Sequence, residues 1–248
     1  MFIILRKKTI GLFLSSILFL GFSWGAYNYA AHPNMQNWKE QKIVITDVKT
    51  KQKVVSLTFD DGPDPKNTPV VLDVLKKHHT SATFFLVGSR AEDNPALVKR
   101  IVDEGHEIGN HSMSHTDYNG KNIEFIRNDI KQCNDVIYKI CKQRPELYRP
   151  PGGYLSYDLV ALTQKEKIKI AYWTYQQDSK DWKSGMKSAQ IASHIIKNIK
   201  PGQIIILHDG SSNGLESAKA LDILIPELNR LGYKFMSMGE LIKLGNKE

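Results

Sequence analysis

The 248-residue chain has only two cysteines, no acidic residue before Glu40, no internal repeat and no low-complexity tract. The two cysteines, Cys133 and Cys141, exclude a disulfide-built scaffold. Eight residues apart on one helix, they would lie about 12 Å apart along its axis, beyond the reach of a bridge unless the helix stops before Cys141. The net charge of +8 comes with no Arg-rich helix and no interleaving of basic and aromatic residues, which argues against nucleic acid as the partner. The missing acid matters most at the N-terminus. There Arg6-Lys7-Lys8 precedes Thr9 to Trp24, an uncharged run rich in Leu, Ile and Phe. Such a run is a signal-peptide core or a short transmembrane anchor, with Ala30-Ala31 as a candidate cleavage point. In either case the basic flank stays in the cytoplasm and the rest is exported, held to the outer face of the membrane or released beyond it. Without those three charges the exported part carries +5, which favours encounter with an anionic matrix such as a cell wall.

Residues 1–31 thus read as the signal or anchor, and residues 32–52 as a polar, basic linker or an added strand. From Val54 onward strand-like and helix-like segments alternate. Strands are predicted at Val54–Phe59, Ala82–Val87, Glu107–Gly109, Leu147–Arg149, Ile168–Thr174, Gln203–Leu207 and Lys234–Met236. Helices are predicted at Thr68–His78, Pro95–Glu104, Asn122–Ile140, Ser156–Lys165 (with Ser156 as its cap), Ser188–Ile199, Leu215–Leu231 and Gly239–Leu244. Repeated βα units give a parallel sheet, and seven of them can close into a distorted (β/α)7-type barrel. That domain spans residues 53–244.

In such barrels the chemistry sits at the C-terminal ends of strands. Five polar clusters fall there. Asp60-Asp61 ends the first apolar run, in Thr58-Phe59-Asp60-Asp61-Gly62-Pro63. His111 and His115 follow the third strand; spaced i, i+4, they would share one face of a helical turn and grip one metal ion. Two imidazoles and one carboxylate leave coordination positions open for water and substrate, and the other aspartate is free to act as a base. Arg149-Pro150-Pro151-Gly152-Gly153-Tyr154 follows the fourth strand, Asp178-Ser179-Lys180-Asp181-Trp182 the fifth, and His208-Asp209-Gly210 the sixth. Singly, each has a bland explanation as a turn, a solvated loop or a core histidine. Five together in one βα array do not.

The five clusters, in this order, resemble the motifs of the polysaccharide deacetylases, the NodB-homology domain of carbohydrate esterase family 4, over about Lys53 to Leu241. The resemblance implies roles residue by residue. Asp60 would be the catalytic base; Asp61, His111 and His115 would hold one divalent metal ion, zinc first, with cobalt, nickel or manganese as alternatives. Arg149 would orient Asp60, with Asp178 as a partner of Arg149. The N–H of Gly152 would bind the oxyanion, at a position that is often aromatic in the family. Asp181 would tether the acid His208, while Trp182 and Ile206 would wall the acetyl pocket, Ile206 standing where leucine is commoner. Tyr154 is counted with the residues that contact substrate.

Two functions from different classes follow. One is a metal-dependent hydrolase removing N-acetyl groups from a cell-envelope polysaccharide, most simply N-acetylglucosamine of peptidoglycan, with chitin oligosaccharides or O-acetyl esters as alternative substrates. The other is an inactive wall-binding protein of the same fold. The intact Asp60, Asp61, His111, His115 and His208 favour the first. The expected partners are the N-acetylated polysaccharide and the membrane through the N-terminal segment, with the protein a monomer.

Overall fold

A computed structural model describes residues 34–247; the apolar N-terminal run and Ala30-Ala31 lie outside the described residues. Among the described residues no helix is long and apolar enough to cross a membrane. The chain order is α1 (Met35–Glu40), β1 (Val44–Ile45), β2 (Val54–Asp60), α2 (Thr68–Lys77), β3 (Thr83–Leu86), α3 (Gly88–Asp93), α4 (Pro95–Asp103) and β4 (Glu107–Asn110). It continues with α5 (Ile123–Cys141), β5 (Leu147–Tyr148), α6 (Tyr157–Lys165), β6 (Lys169–Ala171), α7 (Ser188–Asn198), β7 (Ile204–His208), α8 (Gly214–Arg230), β8 (Lys234–Phe235) and α9 (Met238–Gly245). Ser156 caps α6 as expected, its side chain accepting from the Leu159 N–H. Short α3 was not expected. The α5 helix runs through Cys141, and both cysteines are free.

All strand pairs named here are parallel, in the order β1-β6-β5-β4-β3-β2-β7, with β8 beside the start of β2. The sheet curls, and the segment after β6 reaches β7 to complete a distorted barrel. Thr174 N–H donates to Ile204 O at 3.0 Å, and Asp178 bridges Ile206. Of the two readings of residues 32–52, the added strand is the one observed: β1 pairs with β6, and Val48 N–H donates to Gly202 O at 2.8 Å. Trp38 of α1 is buried and meets Tyr157 edge-on at 5.3 Å between ring centroids.

The strand period of two places the site. In β2, Val55, Leu57 and Phe59 join Leu72 and Leu75 of α2 and Leu224 and Leu228 of α8 in the main apolar core. The alternate residues Ser56, Thr58 and Asp60 are buried as well and face the barrel interior. In β7 the same alternation sends Ile205 and Leu207 to that core, and Ile206 and His208 toward the interior, beside Thr58 and Asp60 of β2. Both faces of β2 are covered, as a central parallel strand requires.

Candidate active site

Asp60 ends β2, and Asp61 turns the chain in the left-handed region (φ 70°), which short polar residues tolerate better than others. The turn is braced from three sides. Arg90 Nη1 donates to Asp61 O at 2.9 Å and to Gly210 O at 2.7 Å, tying the doublet to the loop after β7. Asn67 Nδ2 donates to Asp209 O and Ser211 O, both at 3.0 Å. Thr68 Oγ1 donates to the buried Asp209 carboxyl, whose pKa burial pushes up to about 7.

The histidine pair does not lie on a helical turn. Residues 111–118 form an irregular loop, with Ser112 (φ 70°) and His115 (φ 50°) in the left-handed region. Side-chain acceptors make that shape, from within the loop, beside it and from α5. Asn110 Oδ1 accepts Ser112 N–H at 2.7 Å, and Ser112 Oγ accepts His115 N–H at 2.8 Å. Buried Asp129 of α5 accepts Met113 N–H at 3.0 Å, Ser114 Oγ at 2.8 Å and Tyr118 Oη at 2.8 Å. The result still brings both imidazoles to Asp61: His115 Nε2 is 3.0 Å and His111 Nε2 3.3 Å from its Oδ1. His111 Nδ1–H donates to Arg149 O at 2.7 Å, which fixes the tautomer and leaves Nε2 as a ligand atom.

These three groups fit a metal. One ligand atom from each lies within 4.8 Å of the others, and Asp61 Oδ1 is buried yet accepts no well-aligned hydrogen bond. Two nitrogens and a carboxylate oxygen suit a borderline divalent ion. Burial alone would raise the Asp61 pKa; the two imidazoles outweigh it and hold the carboxyl well below the usual carboxylate range. Asp61 in turn raises the pKa of His115.

Two dyads flank this set. Fully buried Arg149 donates from Nη1 to Asp60 Oδ1 at 2.6 Å and to Thr58 Oγ1 at 2.9 Å. Its Nε and Nη2 go to Ala171 O and Tyr172 O at 3.1 and 2.7 Å, and its guanidinium lies 4.0 Å from the Phe85 ring centroid. Asp60 Oδ2 points the other way, 3.9 Å from His111 Nε2. On the second dyad, buried Asp181 accepts His208 Nδ1–H at 2.8 Å, His208 N–H at 2.8 Å and Ser217 Oγ at 2.5 Å. Burial works to lower the His208 pKa, but Asp181 and the doublet carboxylates lift it to about 9.

Both dyads and the metal-capable set meet at one cavity of about 440 Å³, lined by Asp60, Asp61, His111, His115, Gly152, Trp182, Ile206 and His208. A larger cleft of about 1090 Å³, between α1, β1 and the end of α9, gathers no such constellation. Two expectations need correction. Asp178 does not pair with Arg149, which bonds Asp60, Thr58, Ala171 and Tyr172 instead; it binds Lys180, from Nζ to Oδ2 at 2.5 Å. Tyr154 does not line the cavity; its ring packs edge-on against Tyr118 at 5.8 Å, in a satellite core. Sequence reasoning missed Trp173 and Lys180 on the wall, and Arg90, Asn110 and Asp129 behind it. Trp173, at the end of a strand-like run, carried the same strand-end signal that flagged the other clusters.

Residues 47–173 match the family described as polysaccharide deacetylase. A peptidoglycan-N-acetylglucosamine deacetylase of Bacillus cereus is 42% identical over 81% of this chain and 93% of its own length. A peptidoglycan-N-acetylmuramic acid deacetylase of Bacillus subtilis is 40% identical over 78% of this chain and 73% of its own. The crystal structure of the Bc1960 peptidoglycan N-acetylglucosamine deacetylase superposes with a TM-score of 0.78 at 34% identity, covering 82% of this chain and 94% of that one. With five motifs, one cavity and near-full-length relatives in accord, the chain belongs to the polysaccharide deacetylase family.

Proposed function

We propose that this hydrolase removes the N-acetyl group from N-acetylglucosamine of peptidoglycan, exported through its N-terminal segment and either anchored by it or released. The observation that carries the chemistry is the convergence of Asp60, Asp61, His111, His115 and His208 on one cavity. The relatives' activities support the substrate. Asp61, His111 and His115 would hold a divalent ion, zinc first, which when bound polarises the amide carbonyl and lowers the pKa of water. Asp60 Oδ2 then takes a proton from the attacking water, while Arg149 holds Oδ1. Gly152 lines the cavity where its N–H can stabilise the developing oxyanion. His208, with Nδ1–H on Asp181, gives its Nε2 proton to the leaving amine. Ile206 and Trp182 line the cavity where the acetyl methyl group would sit. Acetate and a free amino sugar result. The intact set favours this reading over an inactive wall-binding protein. The test is acetate release from purified peptidoglycan and from chitin oligomers, with and without chelator. Release from peptidoglycan that stops with chelator and returns with zinc or cobalt is expected. Release from chitin alone, or activity without stoichiometric metal, contradicts it.

A further inference from the structure

The loop that carries Gly152 is held from behind by a side chain that the proposed chemistry does not use. Tyr172 follows β6 and is buried; its N–H donates to Ile45 O at 2.8 Å, and its carbonyl accepts Arg149 Nη2 at 2.7 Å. Its hydroxyl donates to Gly153 O, and its ring lies flat on Trp173, with 4.4 Å between centroids and 2° between planes. Burial raises the phenol pKa above its ordinary value, so the hydroxyl remains a donor at neutral pH. A Cβ on Gly153 would collide with that hydroxyl and come within 3.1 Å of the Trp173 ring, so the loop rests directly on this pair.

The loop needs such a support. Gly152 (φ 59°) and Gly153 (φ 71°) are both in the left-handed region, which glycine enters without steric cost and leaves as easily. Two peptide planes carry the constraint inward. In a planar trans peptide the C=O and the N–H point in opposite directions. The Gly153–Tyr154 peptide gives its C=O to Tyr172 and its N–H to Pro151 O, the latter at 3.1 Å. The Pro151–Gly152 peptide, with its C=O so engaged, turns its N–H the other way, and Gly152 lines the cavity. Gly153 N–H is spent inside the turn, on Pro150 O at 3.0 Å, whereas Gly152 N–H has no acceptor among the described residues. Hydrogen bonds in series also polarise one another, most where water is excluded, so the hydroxyl strengthens the last donor as well as aiming it.

We propose that Tyr172 is a positioning residue for the oxyanion: through the Gly153–Tyr154 and Pro151–Gly152 peptides, its hydroxyl aims the Gly152 N–H at the carbonyl oxygen under attack. This rests on Gly152 as the oxyanion donor in the reading above. The Tyr172 carbonyl holds Arg149, which holds Asp60, so one residue stands behind both the base and the oxyanion donor.

The test is Tyr172→Phe in the full chain loaded with zinc, which removes the hydroxyl and leaves the carbonyl on Arg149. Deleting an oxyanion donor costs about 10² to 10³ in kcat; a donor kept but loosened should cost less, about tenfold. That loss should fall on kcat, with KM, metal content and melting temperature unchanged. It should be shared by peptidoglycan and an aryl acetate, since both pass through an oxyanion. A glucosamine derivative with a methylphosphonamidate in place of its acetamido group, a mimic of the tetrahedral intermediate, should bind about tenfold more weakly, in step with kcat. In the metal-free protein, the Tyr154 amide should lose hydrogen-exchange protection. An unmoved Tyr154 amide overturns the proposal and leaves the rest of the site as described. A Tyr154 amide that loosens while kcat and the analogue's Kd hold defeats Gly152 as the oxyanion donor, and the proposal with it. A kcat loss accompanied by lost metal or a lowered melting temperature makes Tyr172 a packing residue and also overturns it. A wild type that releases no acetate from either substrate defeats the hydrolase reading instead; the analogue's Kd and the Tyr154 amide still decide the role of Tyr172.

Discussion

The two dyads of the site are built from similar parts in opposite order. On one, a carboxylate faces the cavity and a guanidinium stands behind it: Asp60 with fully buried Arg149 at 2.6 Å. On the other, an imidazole faces the cavity and a buried carboxylate stands behind it: His208 with Asp181 at 2.8 Å. The rear partner in each is locked by further bonds, Arg149 by two main-chain carbonyls and Thr58, Asp181 by Ser217 and the His208 amide. The order decides the role. A group backed by a cation is set up to accept a proton. An imidazole backed by an anion holds its proton to higher pH and is set up to donate it. In the proposed mechanism, neighbouring strands β2 and β7 would thus present an acceptor and a donor beside the metal-capable set.

Breaking the metal set should have the largest effect. Asp61→Ala removes one of the three proposed ligands and should abolish stoichiometric metal binding, and activity with it, as measured by elemental analysis and acetate release. Asp60→Asn should bind metal as the wild type does but lose turnover by a factor on the order of 10² to 10⁴. Its fold should survive, because the amide keeps an oxygen for Arg149 and the guanidinium keeps its three other partners. Equal loss of metal in both variants would show that the doublet's two roles are not divided as described. The smallest effect sharpens the comparison most. Asp181→Asn removes the anion that raises the His208 pKa, so the imidazolium loses its proton at lower pH. The alkaline limb of the pH–rate profile, measured with the same metal bound, should move to lower pH. An unmoved limb would detach that limb from His208.

Much of this site was legible in the sequence, because catalytic groups of a βα array stand next to apolar strands. Asp60, His111, Arg149 and His208 each follow or end such a run, and the period of two sends Asp60, Ile206 and His208 inward. What was not legible is what depends on partners distant in sequence. The histidine spacing suggested a helical turn, but Asn110 and Asp129, the latter sixteen residues beyond Met113, hold an irregular loop instead. Asp178 and Arg149 are both near the site, and only the full arrangement shows that the guanidinium is held by Asp60, Thr58, Ala171 and Tyr172 while Lys180 is within reach of Asp178. Tyr154 shares a cluster with Gly152, yet two residues along the chain its ring joins Tyr118 in a core. The polar stretch before Lys53 left a linker and an added strand undecided because β1 is only two residues long, Val44–Ile45.

The most direct test of the donor dyad compares two leaving groups in His208→Ala. An amine needs a proton to leave, whereas the phenolate of an aryl acetate leaves without one. Amide and aryl-ester turnover should be measured beside the melting curve. The account predicts that N-deacetylation falls severely while aryl acetate hydrolysis is largely spared and the melting temperature holds. Equal losses on both substrates with a lowered melting temperature would make His208 a packing residue and contradict it.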